Sequence, residues 1–153
     1  RTLSQSVKAI RGPQVRTARN IFALPILQPE SEAWFAQNLD DFLAAYDWTV
    51  PMAMPLMESV PVAESDAWLV RLVRAVSARP GALNKTIFEL QAKDWTLPQQ
   101  NAIPDQQLVD WMRTLQLNGV NNYGYYPDDF LNNQPDISKI RPLFSSYWYP
   151  NND

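Results

Sequence analysis

TIFELQAKDW, residues 86–95, alternates as a strand does, with Ile87, Glu89 and Gln91 on one side and Phe88 and Leu90 on the other. In a sheet covered by helices, Phe88 and Leu90 face the helices. Glu89 and Gln91 then look into an interior or cleft, where an unpaired carboxylate is costly unless it has a partner or a job. The chain leaves this strand through Asp94 and Trp95. A carboxylate, an amide and a flat aromatic at one strand exit suit the gripping of a sugar ring, through hydroxyl hydrogen bonds and stacking on its C–H face.

Working outward, similar segments alternate with helices. Leu3, Val7 and Ile10 have helical spacing up to Gly12–Pro13. Residues 17–26 (TARNIFALPI) read as a strand ended by Pro25. Ser31 is then expected to cap one helix with the apolar face Phe35, Leu39, Phe42, Leu43 and Tyr46. Residues 47–54 (DWTVPMAM) form the next strand, and Ser65 is expected to cap a helix on Leu69, Leu72, Val73 and Val76, closed by Pro80–Gly81. After the opening stretch, a polar loop leads to a helix on Leu108, Trp111, Met112 and Leu115, stopped by Asn118–Gly119. Residues 120–126 (VNNYGYY) make a fourth strand. Asp136 then caps a short helix through Ile137 and Ile140, ahead of an aromatic tail, FSSYWYP.

The repeating unit is βα, and the two helix starts ESEAWF (30–35) and ESDAWL (64–69) are nearly identical. Strand centres lie roughly 30 to 37 residues apart, close to the ~31 per unit of an eight-unit barrel. No glycine-rich phosphate loop follows any strand, which argues against a nucleotide-binding open sheet. The expected class is α/β: the second half of a (β/α) TIM-like barrel, about four βα units on a parallel sheet. Such a half would leave two sheet edges, to be paired by the missing half of its own barrel or by a homodimer mate.

Composition narrows the chemistry. Hydrophobic residues make up 46% of the 153 with no apolar run long enough to span a bilayer, and the first residues carry no visible signal-peptide pattern. The chain contains neither cysteine nor histidine. That excludes disulfides and His-based triads within it and disfavours a zinc or iron site, leaving carboxylates, tyrosines, lysines and amides. A net charge of −3 with scattered basic residues gives no nucleic-acid footprint. It suits a cationic ligand.

Trp34 lies off its helix's apolar face, with Asn38 and Asp41 at i+4 and i+7, so it is expected to be exposed near the barrel mouth. Trp68 has Leu72 and Ala75 at those positions and is expected in the core. Trp95 is a mouth residue by its strand exit. Glu89 is open to three readings: a catalytic acid, a sugar ligand, or half of a buried ion pair with Arg19 or another cation. Tyr123, Tyr125, Tyr126, Asp128 and Asp129 cluster at the fourth strand's exit, where they line a groove or form an ordinary turn. Glycoside hydrolysis needs two carboxyl groups flanking the bond, and none of the acids here carries a specific motif.

The runs VKAIRGP (7–13), TARNIFALP (17–25), QPESEAWFAQN (28–38), LQLNGVNNYGYYPDDFL (115–131) and WYPNND (148–153) resemble the C-terminal end of the poly-β-1,6-N-acetyl-D-glucosamine (PNAG) N-deacetylase family of bacterial biofilm export. The resemblance covers essentially the whole chain. It implies a periplasmic, outer-membrane-attached lipoprotein with a deacetylase domain, whose divalent metal lies outside this chain, followed by a barrel that binds partly deacetylated PNAG and cleaves it. An outer-membrane porin is the implied export partner. Residues 1–153 would be the C-terminal half of that barrel, without the deacetylase domain, the barrel's first half or its principal catalytic aspartate, and so inactive alone. Trp34 and Trp95 correspond to groove tryptophans, with Glu89, Gln91, Tyr123, Tyr125 and Asp128 in support. No metal ligand is expected in this chain. The rival expectation is a non-catalytic module that hands polymer to the porin.

Overall fold

The computed structural model describes residues 2–144; the WYPNND run and all but the first residue of the aromatic tail lie outside them. Four strands, β1 (Ala18–Ile21), β2 (Trp48–Ala53), β3 (Phe88–Gln91) and β4 (Tyr123–Tyr126), pair in chain order, every pair parallel. Parallel neighbours need a crossover, and helices supply each one. The expected α/β architecture of four βα units is therefore present, with β1 and β4 as the two edges.

Helix α1 (Leu3–Arg11) precedes the sheet. Thr2 and Gln5 form a reciprocal capping box at its start, and Gly12 ends it at φ +100°. It is moored at the strands' N-terminal end by Asp47, whose carboxylate accepts from Lys8 Nζ (2.8 Å), Thr17 N (2.8 Å) and Thr17 Oγ1 (3.0 Å). Those donors hold the Asp47 carboxyl well below the usual carboxylate range.

The core lies between the sheet and two long helices, α5 (Val62–Ser77) and α6 (Asp105–Leu117). From the sheet come Ile21, Ala53, Phe88 and Leu90; from α5 come Trp68, Leu69, Leu72, Val73 and Val76; from α6 come Leu108, Trp111, Met112 and Leu115. The anticipated apolar stripes of both helices are the buried ones. Trp111 is fully buried, and its indole nitrogen donates to Ser65 Oγ at 2.7 Å, which in turn donates to Val62 O. Asp136 caps α7 (Ile137–Ile140) through the Ser138 backbone N–H, as expected.

Local chemistry overrides four of the expected boundaries. The first strand stops at Ile21, and Ala23–Leu27 is a helix, α2. Pro25 fits there because a first-turn residue has no intrahelical N–H bond to lose. The single helix after Ser31 is broken at Ala36 (φ +50°) into α3 (Glu32–Phe35) and α4 (Leu39–Ala45). Asn38 makes the break: its Oδ1 caps the Asp41 N–H at 2.9 Å while its Nδ2 donates to Glu32 at 2.8 Å. Ser65 does not cap α5, which starts three residues earlier behind Pro61; its hydroxyl serves Trp111 instead. The fourth strand begins only at Tyr123. ESEAWF and ESDAWL, so alike in sequence, therefore occupy different structures.

Candidate functional site

The sheet face opposite the helices carries the site. Met52 pairs with Glu89 and Glu89 with Gly124, while Asn20 has the same parity on β1. Strand alternation thus puts Asn20, Met52 and Glu89 on one face of the sheet: Asn20 is level with Val50, two residues before Met52, and the Met52–Glu89 row ends at β4 on Gly124, which has no side chain to obstruct it. Beyond that row, at the C-terminal ends of the strands, lies a cavity of about 290 Å³ lined by Asn20, Met52, Met54, Met57, Glu89, Trp95 and Tyr126. This is the end at which (β/α) barrels place their ligands.

Glu89 is half-buried, and Asn20 Nδ2 donates to its Oε2 at 2.8 Å from two strands away. Loss of solvent pushes the Glu89 carboxyl above the ordinary glutamate value, and the Asn20 hydrogen bond partly offsets the rise. Among the described residues it makes no ion pair. Arg19 has the opposite parity, and its guanidinium lies over the rings of Phe42 (5.6 Å) and Tyr46 (6.0 Å). The ion-pair reading of Glu89 with Arg19 is thereby removed.

Trp95 and Tyr126 form the aromatic wall, with ring centroids 6.0 Å apart and planes 26° apart. The Trp95 loop is closed on itself: Ile103 N donates to Ala92 O at 3.0 Å and Asp94 N to Asn101 O at 2.8 Å. Its base is tied to β4 by Ala92 N donating to Tyr126 O at 2.8 Å. Two separate strand exits are thus held in register to make one stacking surface.

The remaining expected residues fall elsewhere. Gln91 shares the parity of Glu89 but is fully buried, with Oε1 accepting from Leu56 N and Nε2 donating to Lys93 O, both at 2.8 Å. Its amide is spent on backbone and leaves nothing for a ligand. Tyr123 and Tyr125 sit on the helix side of β4, one residue out of phase with the site. Tyr123 donates to Leu143 O and accepts from Gln116, both its ring and that of Tyr125 pack on Phe144, and Tyr125 donates to Asp128 at 3.2 Å. Burial raises both phenol pKa values. Trp34 is 88% exposed in the segment after β1 and does not line the cavity. Its exposure has a different origin from the one expected, because the helix is broken before Asn38.

Sequence reasoning missed Asn20 and the three methionines. Met52 and Met54 have the alternation of the site face, so the signal was there in MAM, but thioethers do not announce a polar site. Among the described residues no group of three or more His, Cys, Asp or Glu could hold a metal, and the cavity contributes a single carboxyl group. It can stack a ring, accept hydrogen bonds and exchange one proton. It does not by itself hold the two flanking carboxyls of a standard glycosidase.

A family profile described as "Hypothetical glycosyl hydrolase family 13" matches residues 1–126. The chain belongs to that family. The chain is also similar to the "Poly-beta-1,6-N-acetyl-D-glucosamine N-deacetylase" of Escherichia coli strains K12 and O157:H7, at 60% identity in each case over 152 residues. That is 99% of this chain and 23% of the length of each relative. Among solved structures it resembles the PgaB (BpsB) glycoside hydrolase domain from Bordetella bronchiseptica, with TM-score 0.83 and 43% identity over 92% of this chain and 39% of that one. The fold is thus of the TIM-barrel type, and the family resemblance carried by the sequence runs is upheld.

Proposed function

We propose that this chain is the polymer-binding half of a (β/α)-barrel glycoside hydrolase domain that takes partly deacetylated PNAG, with glycosidic cleavage in the complete protein. The observation that carries the reading is the cavity at the strands' C-terminal ends, where one half-buried carboxyl, Glu89, faces a Trp95–Tyr126 wall. Aromatic faces hold the C–H face of a sugar, and the carboxyl takes a hydroxyl or amide hydrogen. Trp34 serves as a second platform along the polymer. Because the cavity supplies one carboxyl, the other carboxyl of the reaction comes from the preceding half of the barrel, which pairs with the open edge of β1. Glu89 is the candidate for the acid role on this side, and the raised pKa supports it. The acidic balance favours cationic, deacetylated stretches of polymer at long range.

The whole protein in this reading is periplasmic and outer-membrane-associated, carries a metal-dependent deacetylase domain, and passes polymer to an export porin. The identity to the two deacetylases supports this. A non-catalytic binding and export role is the second reading, and the single carboxyl of the cavity favours it.

Titration of tryptophan fluorescence with partly deacetylated β-1,6-glucosamine oligomers tests the proposal. Saturable quenching lost in Trp95→Ala, and weakened for long oligomers only in Trp34→Ala, is the expected result. Supplying the first half of the barrel in trans should then restore cleavage; binding without cleavage favours the export role. Efficient cleavage by the 153-residue chain alone overturns the division of labour.

A further inference from the structure

The loop between β3 and α6 has a second side. Trp95 lines the cavity described above, whereas Asp94 and Leu97 line a separate groove of about 330 Å³ that shares no residue with it. The apolar walls of this groove are Leu56 of the turn after β2, Val62 at the start of α5, Leu97, Ile103 and Pro104. Ile103 is buried, but Val62 and Leu97 remain 48% and 44% exposed. The groove belongs to the two inner βα units, away from β1 and β4, so strand pairing at either free edge of the sheet leaves it open.

The backbone beside the groove carries an unused strand edge. Lys93 and Ala102 face each other across an antiparallel bridge whose hydrogen bonds run through their neighbours, Asp94 N to Asn101 O and Ile103 N to Ala92 O. In that pattern the N–H and C=O of the bridged residues point outward. Lys93 O accepts from Gln91, but neither backbone polar group of the exposed Ala102 has a partner among the described residues. An apolar groove beside an unpaired edge suits an extended peptide, whose main chain pairs with the edge while its side chains enter the groove.

The polar lining narrows the choice. Asp94 is the one charged residue that lines the groove, and Thr96 donates twice to its Oδ1, which leaves Oδ2 uncommitted. The side-chain amides of Asn101 and Gln107 likewise have no partner among the described residues and can serve peptide groups.

We infer that this groove docks an extended segment of another protein, paired with the Ala102 N–H and C=O, with an aliphatic side chain among Leu56, Val62 and Leu97 and a lysine or arginine on Asp94. The inference stands independently of the sugar-binding reading. At about 330 Å³ the groove is at the small end of ligand sites, the scale of a short segment's side chains rather than of a helix.

The test is NMR of the 153-residue chain titrated with a capped hexapeptide, lysine–valine–threonine–leucine–threonine–valine, and with the same peptide carrying glutamate for lysine. The lysine peptide should shift the Val62 and Leu97 methyl signals saturably and slow hydrogen exchange of the Ala102 N–H. The glutamate peptide sets like charges together and should bind at least roughly tenfold more weakly. Asp94→Asn keeps the Oδ1 acceptor for Thr96 and should abolish that discrimination; Leu97→Ser, at an exposed position, should weaken both peptides. Binding of neither peptide at millimolar concentration, equal binding of the two, or binding that leaves Ala102 exchange unchanged overturns the inference. Concentration-dependent shifts of the same groove without peptide make a second copy of the chain its occupant and overturn it as well.

Discussion

Gln91→Met removes two hydrogen bonds while nearly preserving side-chain volume. Gln91 is fully buried at the end of β3, and its amide joins the Leu56 N–H to the Lys93 carbonyl, each at 2.8 Å. Leu56 belongs to the turn that carries Met57, and Lys93 leads to Trp95, so one side chain ties two walls of the cavity together. Methionine can replace neither bond. Each of the two orphaned, largely desolvated backbone groups costs ~1–3 kcal/mol, and the apolar substitute returns part of their sum, which gives a net loss of about 2–3 kcal/mol. For a chain of this size that is a fall in melting temperature of roughly 4–12 °C. Urea unfolding followed by far-UV circular dichroism measures the loss, and near-UV circular dichroism reports on the Trp95–Tyr126 stack. Oligomer affinity should fall although Gln91 lines none of the cavity. A stability change below about 0.5 kcal/mol with unchanged aromatic signals would refute the claim that this amide holds the site together.

Two pH-dependent predictions follow from the shifted carboxyls. Burial raises the Glu89 pKa above its ordinary 4.5, so the folded state favours the protonated acid; that contribution is fully present below 4.5 and is lost as the pH rises through the raised value. Glu89→Gln, a mimic of the neutral acid that can still accept from Asn20, should therefore melt higher than the parent at pH 7 and at the same temperature below pH 4.5. Asp47 has the opposite sign. Its pKa is depressed below 3.8 by Lys8 and Thr17, so its contribution is present above 3.8 and is lost as the pH falls through the depressed value. Asp47→Asn should lower the melting temperature at pH 7, with a gap that narrows in thermal scans taken progressively below pH 3.8. A gap that does not vary with pH would place the effect of Asp47 in packing rather than charge.

The alternation of TIFELQAKDW, the helical stripes of α5 and α6 and the spacing between strands were sufficient for the parallel α/β architecture, since each is a local periodicity enforced by burial of one face. They also placed Glu89 and Trp95 on the correct side of a strand and at its exit, Trp34 in solvent and Trp68 in the core. What periodicity could not settle was competition between neighbours. Asn38 can cap or continue a helix, and its hydrogen bonds to Asp41 and Glu32 decided for the cap. The strand exit with its three tyrosines could be read in either phase until pairing with β3 fixed it, turning Tyr126 to the cavity and Tyr123 and Tyr125 to the helices.

The site itself depended on contacts between distant residues. Asn20 and Glu89 are 69 positions apart, and their hydrogen bond exists only because β1, β2 and β3 lie side by side. The same assembly stacks Trp95 on Tyr126, brings three methionines around one space and spends Gln91 on the backbone rather than on a ligand. Sequence alone determined which faces are buried, because burial follows local hydrophobic spacing. Tertiary structure decided which polar groups remain free for chemistry, because a side chain's hydrogen-bond partners are set by the neighbours that folding delivers.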